Sequence, residues 1–537
     1  MQIIDEEIRE FGQRLKQVMV FQVLDGGINN MNATDEVWDV VIVGGGASGL
    51  AAAVTAAFPE SRVLLVEKAS SLGGTTALAI GSVTAAGTEL QAQAGIQDSL
   101  DDFFSDLTSA INECGCSERN NEALTKIVVQ EAGFAVDWIT GLGASFVGPF
   151  REPLHRVPRM HNIVPNSRGY ISVLGQAAKK RGVVIRTGTQ VLELITSEEA
   201  VIGVRANSEG TTRAINAKRA IILATGDFSS NKRMKSQFMS ERLAQVDGIN
   251  PFSTGDGHLM GMAINADVCN MDVSTGPNLR FVSPNQPLWI ESLPAFPAIA
   301  KVMGTVAKHA PKGFFRFIAK RFLTVQASPS SDIFKKGGIL INKNGKRFTN
   351  ELLPSRELAV AVAQQPEKIA YIFMDDFLAR LFSIPGNYIS TAPGIAYASF
   401  DDYRVLRKDI TYAARSVHEL ARKLAIDPVS CKETIERYNK FVDAGQEDDF
   451  GRKDLGQGFH RSPFFVLGPL MGSFSTVEGG LSIDSECRVL TKTGDKIPRL
   501  YAVGSAGQGG LVLPGHGMHI AWALVSGRIA GRNAMMG

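Results

Sequence analysis

The stretch WDVVIVGGGASGLAAAVTAA, residues 38–57, constrains what this chain can fold into more than any other. Val40 to Val43 form a continuous apolar run, as a strand buried on both faces requires. Gly44, Gly46 and Gly49 follow in G-x-G-x-x-G spacing, and the alanine-rich run from Ala47 and Ser48 onward predicts a helix. The first glycine makes the turn, the second lets a pyrophosphate approach the backbone, and the third permits close helix–strand contact. The helix N-terminus adds N–H groups and partial positive charge for phosphates. A second strand, RVLLVEK, ends on Glu67, about where an acid meets a ribose hydroxyl pair. Together these predict a βαβ unit that holds an adenine dinucleotide.

At 537 residues the chain is too long for one simple core, so two domains are expected, one inserted in the other. A hydrophobic share of 44% and a charged share of 20% describe a globular chain, and a net charge of +2 gives no reason to expect nucleic acid. The five cysteines form no C-x-x-C and no zinc-type His/Cys spacing, so reduced thiols and no metal are expected. The N-terminus is acidic early and lacks a long apolar run, unlike a signal peptide. Residues 1–34 read as an amphipathic arm, or as a start placed upstream of Met31. No apolar run reaches the length of a membrane span, and a cytoplasmic location is expected.

After Glu67 comes KASSLGGTTALAIGSVTAAG. Here the chain resembles the FAD-dependent fumarate reductase and succinate dehydrogenase flavoprotein superfamily, which includes the ketosteroid dehydrogenases. The resemblance runs from about Trp38 to Arg532. It implies that Gly73 to Thr76 lie against flavin and pyrophosphate, making Lys68, Gly74, Thr75 and Thr76 cofactor residues. GVVIRTGTQVLELI resembles the strand pair that reaches the adenine, with Val191 at the contact position. RAIILATGDFSSN would close on FAD through Ala224, Thr225 and Gly226, and STGDGHLMGMAINA through Asp256. PRLYAVGSAGQGG would do so through Gly504 and Ser505, and the first turn of the last helix through Met518 and Ile520. No histidine lies between Met31 and Cys116, so the FAD is expected to be non-covalent.

The resemblance also implies the architecture: a Rossmann-like α/β FAD domain, residues 35–283 and 456–537, with an inserted α+β cap over 284–455 and substrate between them. In the cap, NKNGKRF reads as a hairpin turn. The run 416–452 reads as two helices with turns at Asp427–Pro428 and Gly445. The basic, aromatic stretch KHAPKGFFRFIAKRFL, residues 308–323, reads either as a peripheral contact with the inner face of a membrane or as a helix over the active-site mouth.

For the chemistry, LPGHGMHIAWA, residues 513–523, resembles the last segment of ketosteroid dehydrogenases. Gly517 would give its N–H to a ketone oxygen; Leu513 stands where the family has a donating tyrosine, and His516 is the replacement donor. Tyr388 and Tyr397 are candidates for the base that removes the α-proton. RFTNELLPSRE resembles the fumarate reductase segment that carries the proton-donating arginine, with Arg356 displaced by one residue. Two other carboxylate anchors of that branch are missing: no arginine precedes the last helix, and LMGSFSTVEGGLSID holds no histidine. The expectation is therefore a dehydrogenase that introduces a C=C bond α,β to a ring ketone of 3-ketosteroid or cyclohexanone type, passing hydride to flavin N5 and electrons to an external acceptor the sequence does not name, or that runs the reverse reduction. A substrate with one ketone and one carboxylate would use Arg356 as well. The alternatives are an enoate reductase with Arg356 as proton donor, and a non-catalytic flavin-binding protein.

Overall fold

The strand Glu36–Val43 sits in the middle of the main sheet, with its residues from Val40 to Val43 buried as the apolar run predicts. The computed structural model describes residues 36–284, 320–321, 323–325, 327–392 and 396–536. The main sheet runs in the order 488–490, 496–502, 211–223, 36–43, 63–66, 184–186. Strand Val63–Val66 lies parallel to Glu36–Val43 and to Val184–Arg186, and Lys496–Ala502 lies parallel to Thr211–Leu223. Two further strands, Thr189–Ser197 and Ala200–Ser208, extend Thr211–Leu223 as an antiparallel meander. Helix Ala47–Ala56 follows the glycine turn, and the last helix, Met518–Met536, crosses it. A Cβ on Gly527 would lie 2.3 Å from the Ser48 carbonyl oxygen, and one on Gly531 2.4 Å from that of Ala52. The chain's two distant ends are thus locked together by backbone contact.

A second sheet centres on Phe464–Phe474, flanked by Ile369–Met374, Asn278–Phe281 and Thr411–Ala414, and has its own hydrophobic core. It draws its Asp247–Gly248, Asn278–Phe281 and Phe464–Phe474 strands from outside residues 284–455. Helices Val417–Lys423 and Pro428–Ala444 stand where two helices are predicted; the Asp427 carboxylate caps the second, and Gly445 ends it at φ +61°. The NKNGKRF turn forms, but only its first strand, Ile339–Ile341, pairs in a sheet. The second arm leaves because Arg347 is drawn into a buried cluster, 2.7 Å from Glu351 and 2.6 Å from Asp448, with Arg452 2.9 Å from Glu351. Residues 1–34 and most of 308–323 lie outside the described residues; of the latter, Lys320 pairs with Asp402 at 2.9 Å. Among the described residues no helix is long and apolar enough to cross a membrane.

A third, three-stranded sheet joins Ser82–Thr84, Met160–Val164 and Ser145–Phe150. The loop between its last two strands in sequence, residues 151–159, is fastened by Arg159. That side chain is 0% exposed, 2.6 Å from both Asp98 and Asp106, and lies over the Phe103 ring. Burial by itself would raise both carboxyls; the Arg159 bonds, with those from Gln91 to Asp98 and from Arg156 to Asp106, outweigh it and hold them below the ordinary range. Arg159→Met leaves the buried Asp98 without its cation and Asp106 with Arg156 alone, and is expected to cost about 3–5 kcal/mol in urea unfolding at pH 7. Depressed native values mean that the stabilisation is complete above the ordinary carboxyl value of 3.8 and fades as pH falls below it. The difference between wild type and variant is therefore expected to shrink on acidification, and a constant difference would contradict this origin.

Candidate active site

The site begins where strand Glu36–Val43 ends. Gly44 turns at φ +115°, and a Cβ on it would lie 2.2 Å from the Ala224 carbonyl oxygen. Gly49 faces Gly44 in the same way, at 2.0 Å, so it supports the helix–strand contact and does not line the cleft. Helix Ala47–Ala56 opens on Gly46 with no side-chain cap and no acid in its first turn. The Ala47 N–H makes a long 3.4 Å bond to Thr76 Oγ1, and the N–H groups that follow it suit an anion. Glu67 is 8% exposed; it accepts from the Gly45 N–H at 2.7 Å and from the Ala69 N–H at 2.8 Å. Each of its oxygens keeps a lone pair for a hydroxyl. Lys68 spans to Thr254 at 2.5 Å and to Asp256 at 2.8 Å, closing the side of the cradle.

These groups open into one cleft of about 280 Å³. Gly46, Ala47, Ser48, Gly74, Thr75, Thr76, Val191, Ala224, Thr225, Gly226, Asp256, Gly504, Ser505 and Ile520 all line it, beside Gly44, Glu67 and Lys68. Of the predicted cofactor residues only Gly49 and Met518 do not; Met518, the first residue of the last helix, is fully buried.

The other end of the cleft is polar. His516 Nδ1 lies 2.6 Å from Glu152 Oε1, and the same carboxylate accepts the His516 backbone N–H at 3.0 Å. This bond, against the opposing effects of burial and of Arg280, raises the His516 pKa above 6.5. His519 lies 3.3 Å from Glu478, which is 0% exposed and also accepts from Gln508. Burial would lower the His519 pKa, but Glu478 outweighs it and the net shift is upward. Gly517 lines this end of the cleft as well.

Arg280, in strand Asn278–Phe281, also lines this end. Burial lowers its pKa, and among the described residues no carboxylate compensates and its buried Nε has no hydrogen-bond partner. The sequence reading missed both Arg280 and Glu152. NLRF is too short to show which face of the strand is buried, and Glu152 is 364 residues from His516 in sequence.

The remaining candidates stand elsewhere. Arg356 donates to the Ser274 carbonyl oxygen at 3.3 Å and does not line the cleft; helix Ser355–Ala363 starts one residue before it and turns its side chain to that loop. Tyr388 and Tyr397 pack ring on ring with centroids 4.8 Å apart, and neither lines the cleft. Leu513, in the place of the family tyrosine, is 2% exposed.

The pattern of the family described as "FAD binding domain" matches residues 39–280 and 324–521. The chain belongs to this family. Within the FAD binding domain family, it is 26% identical to the probable fumarate reductase Ifc3 of Shewanella frigidimarina (strain NCIMB 400), over 93% of this chain and 75% of that one. It is also 26% identical to the vinyl phenol reductase of Lactiplantibacillus plantarum (strain ATCC BAA-793 / NCIMB 8826 / WCFS1), over 94% of this chain and 97% of that one. Among solved structures, its fold is similar to the open conformation of a flavocytochrome c3 fumarate reductase, with TM-score 0.70, 24% identity and coverage of 94% and 79%. It is similar, with TM-score 0.57, 22% identity and coverage of 95% and 99%, to 3-ketosteroid-Δ4-(5α)-dehydrogenase from Rhodococcus jostii RHA1. The expected place of the chain beside the ketosteroid dehydrogenases is corrected: they share its fold at low identity, while the sequence relatives carry the names of reductases.

The cofactor of this family member is FAD, and the residues fit it. The uncapped helix start suits the pyrophosphate, Glu67 the adenosine ribose, and the Thr75–Gly504 walls a flat ring system. The protein is an FAD-dependent oxidoreductase.

Proposed function

We propose that this oxidoreductase reduces a carbon–carbon double bond conjugated to one carboxylate or carbonyl group. The observation that carries this reading is Arg280, a guanidinium that burial disfavours and no carboxylate compensates, in the same cleft as the flavin cradle and the Glu152–His516 pair. A buried cation without a partner is costly unless a ligand supplies one. Arg280 binds the conjugating oxygen and stabilises the negative charge that grows on it as the double bond is attacked. Bound FAD, in its reduced state, supplies the hydride. Cleft walls such as Ile80 and Phe252 hold the rest of the substrate away from water. The names of the sequence relatives, reductases of fumarate and of vinyl phenols, agree with C=C reduction.

Two features weigh against desaturation of a ring ketone. Leu513 offers no donor, and among the described residues no tyrosine lines the cleft to take an α-proton. A dicarboxylate is disfavoured too, since Arg356 does not line the cleft and so offers no second guanidinium there. The test is anaerobic reoxidation of dithionite-reduced enzyme by acrylate, cinnamate, cyclohexenone and fumarate. A monocarboxylate or the enone is expected to restore the yellow flavin faster than fumarate does. Bleaching of the oxidised enzyme by cyclohexanone, with no reoxidation by any of the four, returns the reading to desaturation.

A further inference from the structure

Reduction of a double bond needs a proton as well as a hydride, and neither Arg356 nor the cap tyrosines reach the cleft to give one. The geometry points to His516, held by Glu152, as the acid that protonates the substrate carbon. This rests on the reductase reading above.

Glu152 is 7% exposed and grips His516 at two points, the backbone N–H and ring Nδ1. The far side of the loop is fixed as well, because Thr84 Oγ1 donates to the His516 carbonyl oxygen at 2.7 Å. With Nδ1–H given to the carboxylate, Nε2 is the free ring nitrogen. The imidazole is 66% exposed into the cleft, so a substrate can approach Nε2 and solvent can reload it. The charged groups acting on the ring are Glu152, which favours its protonated form, and Arg280, which opposes it. An anionic substrate on Arg280 cancels that opposition, so binding itself arms the acid. The 151–159 loop that carries Glu152 is the one fastened by Arg159, which keeps the pair in register.

The step balances. Hydride from the reduced flavin forms the C–H bond at the carbon β to the electron-withdrawing group. The π bond breaks, and its electron pair takes the proton from His516 Nε2 at the α carbon. The substrate gains two hydrogens, the flavin is oxidised, and His516 is left neutral until solvent returns a proton. His516 is a catalytic residue in this scheme, and Glu152 a positioning residue.

The experiment uses flavin-loaded full-length protein, reduced with dithionite and mixed with the best acceptor from the panel above. His516→Gln is expected to keep its flavin spectrum and to reoxidise about 10²–10⁴-fold more slowly, with partial recovery on added imidazole. The wild-type rate falls as pH rises through the raised His516 value, where the acid loses its proton. Glu152→Gln removes the group that raises it, so that fall is expected at lower pH, and the His516 ring signal in NMR is expected to titrate at the same lower pH. If His516→Gln reoxidises at the wild-type rate with the wild-type pH profile, His516 is not the acid and only this assignment falls. If the wild type is reoxidised by none of the panel, the reductase reading falls and takes the assignment with it. An unmoved His516 titration in Glu152→Gln would remove Glu152 from its role.

Discussion

Gly44→Val is expected to yield protein with essentially no bound flavin. Gly44 has φ +115°, a region that costs a side-chain-bearing residue about 1–3 kcal/mol. Its new Cβ would meet the Ala224 carbonyl at 2.2 Å, which is backbone of the neighbouring strand and has no rotamer to change. Either the segment that begins at Ala224, just past strand Thr211–Leu223, shifts or the glycine turn opens, and both segments line the cleft. A combined cost above about 3 kcal/mol corresponds to more than a hundredfold in flavin affinity. The absorbance spectrum of the purified variant, followed by FAD titration, measures this. Gly386→Val is the control: φ is +102°, but nothing lies within 4 Å of its Cβ position. It carries the strain without the clash and is expected to stay fully yellow. Equal flavin in the two variants would show that the contact with Ala224 does not shape the site.

Arg280→Leu is expected to separate stability from activity. The guanidinium is disfavoured by burial, has no compensating carboxylate, and leaves Nε unbonded. Removing such a charge is neutral or stabilising for the substrate-free protein, so the melting temperature is expected to hold or rise. The same change removes the group that receives the developing negative charge, worth about 3 kcal/mol for a charge-assisted pair, or about a hundredfold. Reoxidation of the reduced flavin by the best acceptor is expected to slow by that factor, with flavin content unchanged. A variant that is less stable and equally fast would make Arg280 a structural residue. Arg280→Lys is expected to recover part of the rate only, because an ammonium cannot make the two parallel bonds of a guanidinium.

The cofactor half of the cleft was legible in the sequence because its parts are short and local. A glycine turn between an apolar strand and a helix, or an acid at the end of the next strand, keeps its meaning wherever the chain goes afterwards. Backbone and small side chains such as Gly44, Gly46, Ala47 and Gly74 line that half of the cleft, because close approach of a dinucleotide tolerates little else. The substrate half was not legible in this way. The segment marked His516 only as a donor to a ketone oxygen; its partner Glu152 lies in a loop of the small third sheet, and no local pattern marks it. Arg356 and the two tyrosines depend on packing: Arg356 donates from the start of helix Ser355–Ala363 to the Ser274 carbonyl, and Tyr388 and Tyr397 stack on each other away from the cleft. The turn after Asn342 forms as its residues imply, but its second arm stays out of the sheet, where Arg347 meets two buried carboxylates.

The sequence by itself determined the dinucleotide cradle and the α/β class, because strand, turn and helix signals act over a few residues and are additive along the chain. Tertiary structure alone decided which charges meet in the cleft. Whether Arg280 is bare or paired, and whether His516 has an acid behind it, depends on segments far apart in sequence. Burial then sets the electrostatic consequence, and burial is a property of the packed molecule.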